Sequence, residues 1–123
     1  MKIIITDDIK ISTIQEEFNQ VFPYLKLEFF RGLHKADADS SKKNIKNNEI
    51  TFGKCRRSEV TGKIAITPVM TVTELEQRFA EVYGLGIQVL RQSGTTWLET
   101  SITDGWTLEE QNRQGEDLSK ARA

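Results

Sequence analysis

A self-match at fixed spacing constrains this chain more than any other feature of its sequence. Residues 2–22 laid on residues 63–83, at an offset of 61 without gaps, bring Lys2 onto Lys63, Ile3 onto Ile64, Ile5 onto Ile66, Thr6 onto Thr67, Phe18 onto Phe79 and Val21 onto Val82. Ile11/Val72, Ser12/Thr73, Ile14/Leu75 and Phe22/Tyr83 agree in size and chemistry. After a slip of one residue the match resumes, with Leu27-Glu28-Phe29-Phe30-Arg31 facing Ile87-Gln88-Val89-Leu90-Arg91. Two stretches that share a pattern at this length point to one supersecondary unit used twice.

Periodicity gives that unit its shape. Ile11, Ile14, Phe18, Val21 and Phe22 recur at helical spacing, and so do Val72, Leu75, Phe79, Val82 and Tyr83. Each set is one apolar stripe along an amphipathic helix. Ser12 with Gln15, and Thr71 with Glu74, have the spacing of an N-terminal capping box, while Pro23 and Gly84 are the expected stops. Before the helices stand the β-branched runs Lys2–Thr6 and Lys63–Thr67. After them come Tyr24–Arg31, where Leu25, Leu27 and Phe29 alternate with Lys26 and Glu28, and Ile87–Arg91. Period-two alternation means a sheet with one covered face. Each copy therefore reads β-α-β.

Beyond these units the copies differ. In the second, Ser93-Gly94 turns the chain into Thr95–Thr100, which predicts a hairpin with Ile87–Arg91. Asp104-Gly105 is a further turn, Thr107 with Glu110 caps a short helix, and Gly115 is its expected end, leaving 116–123 as a frayed tail. In the first, residues 34–49 form a polar stretch read as a mobile loop, with a short strand at Ile50–Phe52 and a charged connection from Cys55 to Gly62.

The expectation is an α+β fold of one domain over residues 1–123, with pseudo-repeat halves at about 1–31 and 63–101. Two β-α-β units in series suggest an antiparallel or mixed sheet with both helices on one face, the ferredoxin-like arrangement. The second half admits another reading. Val60-Thr61-Gly62-Lys63, a strand, the 71–83 helix, two strands and Asp104-Gly105-Trp106-Thr107-Leu108 run in an order that resembles ubiquitin-like β-grasp domains. That resemblance leaves residues 1–31 without an account, whereas the repeat explains them.

Composition closes several routes. The 123 residues are 37% hydrophobic and 28% charged, the balance of a chain that folds around its own core. No stretch has the ~20 apolar residues of a membrane helix, and Asp7-Asp8 interrupt the N-terminal apolar run too early for a secretory signal. With a single cysteine, Cys55, and a single histidine, His34, neither an internal disulfide nor a structural zinc site can be made. These features predict a cytoplasmic protein without cofactor, metal or membrane partner. The net charge of −1 is unevenly distributed: residues 1–30 sum to −2, residues 31–63 to +5 and residues 64–123 to −4. The middle third is a basic island in an acidic chain, which bears on partners and not on fold.

Catalytic patterns are sparse. Gly62-Lys63 is not a phosphate-binding loop, because Ile64 stands where the hydroxyl belongs and Arg57 where the first glycine belongs. Gly84-Leu85-Gly86 comes after a helix and reads as its C-cap. Cys55 lies between Lys54 and Arg56-Arg57, cations that would favour a thiolate were it exposed. Asp7, Asp8, Glu99, Asp104, Glu109 and Glu110 have capping or turn positions and form no catalytic pair. The remaining leads concern binding. Trp97 adjoins Leu98 in a strand, so one of the two faces away from the core, and Phe30, Leu90 and Trp97 are candidates for an uncovered sheet face. Lys54, Arg56, Arg57 and Lys63 could meet phosphates, with Phe52 or Trp97 stacking on bases, although the aromatic strand motif of RNA-recognition domains is missing. The functional expectation is a non-enzymatic binding or assembly module that recognises a protein or a second copy of itself. Its alternative is a nucleic-acid-binding protein using residues 54–63. The candidate binding residues are Lys54, Arg56, Arg57, Lys63, Trp97 and Trp106.

Overall fold

The computed structural model describes residues 2–30, 48–55 and 63–120. His34 and most of the predicted 34–49 loop lie outside these residues, as do Arg56, Arg57 and the last three positions. The elements run β1 (Ile3–Ile5), α1 (Ile11–Val21), β2 (Leu25–Phe30), α2 (Phe52–Cys55), β3 (Ile64–Ile66), α3 (Val72–Tyr83), β4 (Gly86–Ser93), β5 (Thr96–Glu99) and α4 (Leu108–Lys120). The class is α+β.

The described strands do not join into the single sheet expected of a ferredoxin-like arrangement. Among the described residues they make two antiparallel sheets, β1-β3 and β2-β4-β5. In the first, Ile4 faces Ala65, flanked by the pairs Ile3/Ile66 and Ile5/Ile64. In the second, Glu28 faces Gln88, flanked by Leu27/Val89 and Phe29/Ile87. Residues matched in the sequence thus stand opposite one another, and the flanking pairs exchange when the halves are swapped. Each described strand of the first half pairs with a strand of the second. Alternation fixes which face of a strand is buried but not which strand lies beside it, so this pairing was beyond the sequence.

Hydrogen bonds recur between the halves in the same way. The Ile9 amide donates to the Thr6 carbonyl and the Met70 amide to Thr67; Phe52 donates to Ile9 and Leu108 to Met70; Gly53 donates to Asp7 and Glu109 to Pro68. Lys10 bridges Thr51 as Thr71 bridges Thr107. Phe52–Cys55 therefore stands where α4 begins in the second half. The predicted strand at Ile50–Phe52 is corrected accordingly: Thr51 makes one isolated bridge, and Phe52 opens a helical turn.

Two helix ends also differ from expectation. α1 starts at Ile11 behind Lys10, with no side-chain cap; the carbonyls of Ile50 and Asn48 receive its Ile11 and Ser12 amides instead. α4 runs on through Gly115 to Lys120. A Cβ at Gly115 would come within 2.8 Å of the Tyr24 Cβ, so this glycine lets the helix close onto β2 and does not end it. The other signals are realised. Thr71 Oγ1 accepts from the Glu74 amide, Thr107 and Glu110 bond reciprocally, and Gly84 takes φ 65° at the end of α3.

The helix stripes and the inward rows Ile3/Ile5, Ile64/Ile66, Leu25/Leu27/Phe29 and Ile87/Val89 share one hydrophobic cluster. At its centre Phe29 meets Phe52 and Phe79 edge-on, at centroid distances of 5.4 and 5.1 Å, and Phe52 lies 5.3 Å from Tyr83. Such pairs add about 0.5–1.5 kcal/mol each beyond their burial. No described helix is long and apolar enough to cross a membrane.

Candidate contact surface

The sequence-derived candidates scatter. Lys54 is exposed on α2, and Lys63 is exposed ahead of β3, its carbonyl accepting from Arg78 Nη2 at 3.2 Å. Arg56 and Arg57 lie outside the described residues. Phe52, considered as a base-stacking platform, is fully buried, and Phe30 and Leu90, considered for an open sheet face, are buried as well. Cys55 belongs to the core cluster, where the exposed thiolate contemplated for it has no place. The described residues include no cluster of three or more His, Cys, Asp or Glu able to hold a metal ion.

Trp97 and Trp106 sit on opposite faces of the β2-β4-β5 sheet. Trp97 is opposite Gln92, and Lys26 Nζ lies 4.7 Å from its ring centroid. That contact and the half-burial of the indole tie it to its own sheet. Leu98 is opposite Arg91 and so projects on the other face, 44% exposed. Of the Trp97/Leu98 pair, leucine is the one left more open. The Arg91 guanidinium carbon is 5.8 Å from the Trp106 ring centroid, and Trp106 is 38% exposed. Ile102, in the segment between β5 and α4, is 99% exposed.

This side chain set is held from beneath. The Asp104 carbonyl accepts from the Thr73 amide and hydroxyl, both at 3.0 Å, and the Trp106 carbonyl from the Val72 amide at 3.2 Å. The 100–107 segment thereby caps α3 with its own backbone, satisfying amides that a helix N-terminus leaves orphaned. Buried Gln111 donates to the Thr103 carbonyl at 2.7 Å and accepts from Arg91 Nη1 at 2.9 Å. Arg91 Nε is enclosed with no hydrogen-bond partner among the described residues. Trp106 is thus presented from a braced loop and backed by a cation fixed in place.

Arg91, Leu98, Ile102 and Gln111 were not among the sequence-derived candidates. Arg91 had a signal, since it continues the core-facing alternation of Ile87 and Val89, where a charge demands a specific partner. Leu98 had a weaker one in its alternation with Trp97. Gln111 is one of several polar residues in α4, and only packing singles it out. Comparison with protein-family models, curated proteins and solved structures finds no match for this chain.

Proposed function

We propose that this chain is a non-enzymatic binding or assembly module, a twice-used β-α-β-α unit that contacts its partner through the β5 edge and the adjoining loop. The observation that carries this reading is the exposure of Leu98, Ile102 and Trp106 on one edge strand and its braced continuation. Among the described residues β5 pairs only with β4, and no other strand lies against its outer edge. An edge without a strand neighbour is a template for another strand, and an exposed Trp is a residue type that anchors contacts. Self-association through antiparallel β5 edges satisfies both features with a single surface. A lone thiol kept in the core fits a reducing compartment such as the cytoplasm.

Light scattering coupled to size exclusion tests this directly. The wild type is expected to run as a defined dimer, and Glu99→Pro as a monomer. Leu98 shares its ladder position with Arg91, so the Glu99 amide points to the free edge, and proline there removes an outward donor while sparing the β4 ladder. Leu98→Lys is expected to have the same effect. A wild type that stays monomeric at high concentration and binds nucleic acid at low salt, weakening on Arg56→Ala/Arg57→Ala, would replace this reading with one centred on residues 54–63.

A further inference from the structure

Backbone directions along β5 restrict how two copies can meet. The Gln92 amide donates to the Tyr24 carbonyl at 2.9 Å, toward β2, whereas the Val89 carbonyl accepts from Thr100 Oγ1 at 2.9 Å, on the β5 side. Backbone groups alternate in direction along a strand, so the odd-numbered residues of β4 face β5. Arg91 stands opposite Leu98, so Leu98 is bonded to β4, and the N–H and C=O groups of Trp97 and Glu99 point outward. Thr96, Leu98 and Glu99 are exposed along this edge.

Antiparallel pairing sets outward groups against outward groups, so the two-fold axis of a β5 dimer must pass through a residue position. An axis at Thr96 leaves Leu98 opposite Gly94. An axis at Trp97 sets Glu99 against Thr95, in the turn before the strand, and draws together the two Lys26 ammoniums held over the indoles. An axis at Glu99 puts two carboxylates directly opposite each other, which is destabilising. An axis at Leu98 has neither fault. Trp97 then faces Glu99 of the other copy on both sides of the axis, and every backbone bond is made by residues within β5.

Granted that β5 edges meet as proposed above, we infer that a second copy of this chain pairs with β5 about a two-fold axis at Leu98, and that the partner's Glu99 completes a charged site at Lys26 and Trp97. Charge complementarity carries this choice. Lys26 Nζ lies 4.7 Å from the Trp97 ring centroid, and Lys26, Trp97 and Glu99 share one face of the sheet. None of the ion pairs among the described residues uses Lys26 or Glu99. Residues directly opposite across strands have Cβ atoms about 4.5–5.5 Å apart, so the partner's Glu99 arrives beside the indole that carries the ammonium. On the other face the two Leu98 side chains cover one another, and the two three-stranded sheets become one.

Disulfide trapping combined with light scattering on dilution tests the assignment. At the axis the two Leu98 Cα atoms form a non-hydrogen-bonded pair about 4.5 Å apart, within reach of a disulfide. Leu98→Cys is expected to give a covalent dimer under mild oxidation. Trp97→Cys and Glu99→Cys place the new thiols two residues out of register, roughly 9 Å apart between Cα atoms, and should stay unlinked. The wild type, whose Cys55 is buried, should stay unlinked as well. Lys26→Glu and Glu99→Lys should each raise the dimer Kd about tenfold, the scale of two exposed ion pairs lost together. Lys26→Glu/Glu99→Lys should recover most of that loss, which a packing defect would not allow. A wild type that is monomeric at every concentration overturns this pairing along with the proposal it rests on. A wild-type dimer in which Trp97→Cys or Glu99→Cys cross-links in place of Leu98→Cys, or in which the double charge reversal brings no recovery, overturns the Leu98 axis alone.

Discussion

At position 115 an added Cβ would stand 2.8 Å from the Tyr24 Cβ, 3.1 Å from the Arg91 Cγ and 3.3 Å from the Gln92 carbonyl oxygen. Two of these belong to backbone or to the base of a side chain, which cannot swing aside. Alanine in place of glycine inside a helix gains about 1 kcal/mol, whereas overpacking of this kind costs about 1–3 kcal/mol. Gly115→Ala is therefore expected to lower the urea midpoint despite its better helix propensity. Gly105→Ala, with nothing within 4 Å of the added atom, should stay within about 0.5 kcal/mol of the wild type. A second residue-scale effect concerns Asp8. The Thr6 hydroxyl donates to its carboxylate at 2.5 Å and holds its pKa below the ordinary value. With the folded pKa depressed, the contribution to stability is present above the unfolded pKa and lost as pH falls through the folded one. Thr6→Val should move the Asp8 titration, monitored by its carboxyl carbon shift, back toward higher pH. A midpoint unmoved by the substitution would dissociate the hydroxyl from the shift.

At the scale of elements, the capping signals show how far local chemistry can be read. Lys10 and Thr71 precede α1 and α3 with the same extended backbone, φ/ψ of −74°/149° and −82°/161°. They are also matched at the offset of the repeat. Residue type alone favours Ser12 as the cap, because lysine offers no acceptor; the repeat itself places the cap at Lys10. In the first half the deficit is met from a distance by the Ile50 and Asn48 carbonyls, which local sequence does not reveal. Thr71→Ala is expected to cost about 1 kcal/mol in denaturant unfolding. Ser12→Ala, which removes a hydroxyl bonded to the exposed Glu49 carboxylate, should cost no more than about 0.5 kcal/mol. Equal losses would mean that Ser12 supports its helix in some other way. Phe52 departs from expectation for a related reason. Ile50-Thr51-Phe52 stands where Trp106-Thr107-Leu108 does, but only the threonine is shared, and the spacing from the preceding helix differs. An apolar run of three residues does not by itself distinguish strand from helical turn.

For the whole molecule, the decisive fact is that β1 pairs with β3 and β2 with β4, so both sheets are built across the halves. The aromatic centre is shared too, with Phe29 and Phe52 from the first half and Phe79 and Tyr83 from the second. A half standing alone would expose the inward faces of its strands and leave a row of backbone donors and acceptors unpaired, a cost its own helix cannot offset. The halves are thus expected to be interdependent, although the sequence presents each as a complete β-α-β unit. A chain cut between Thr61 and Gly62 tests this. Neither fragment should show a cooperative thermal transition alone, because hydrophobic stabilisation appears only when both sets of stripes meet. Mixed in equal amounts, the fragments should recover the far-ultraviolet spectrum of the intact chain and a transition whose midpoint rises with concentration, since association now replaces a tethered encounter. Either fragment melting cooperatively by itself would show that one half holds a core of its own, and the strand pairings across the halves would then be a docking of finished units.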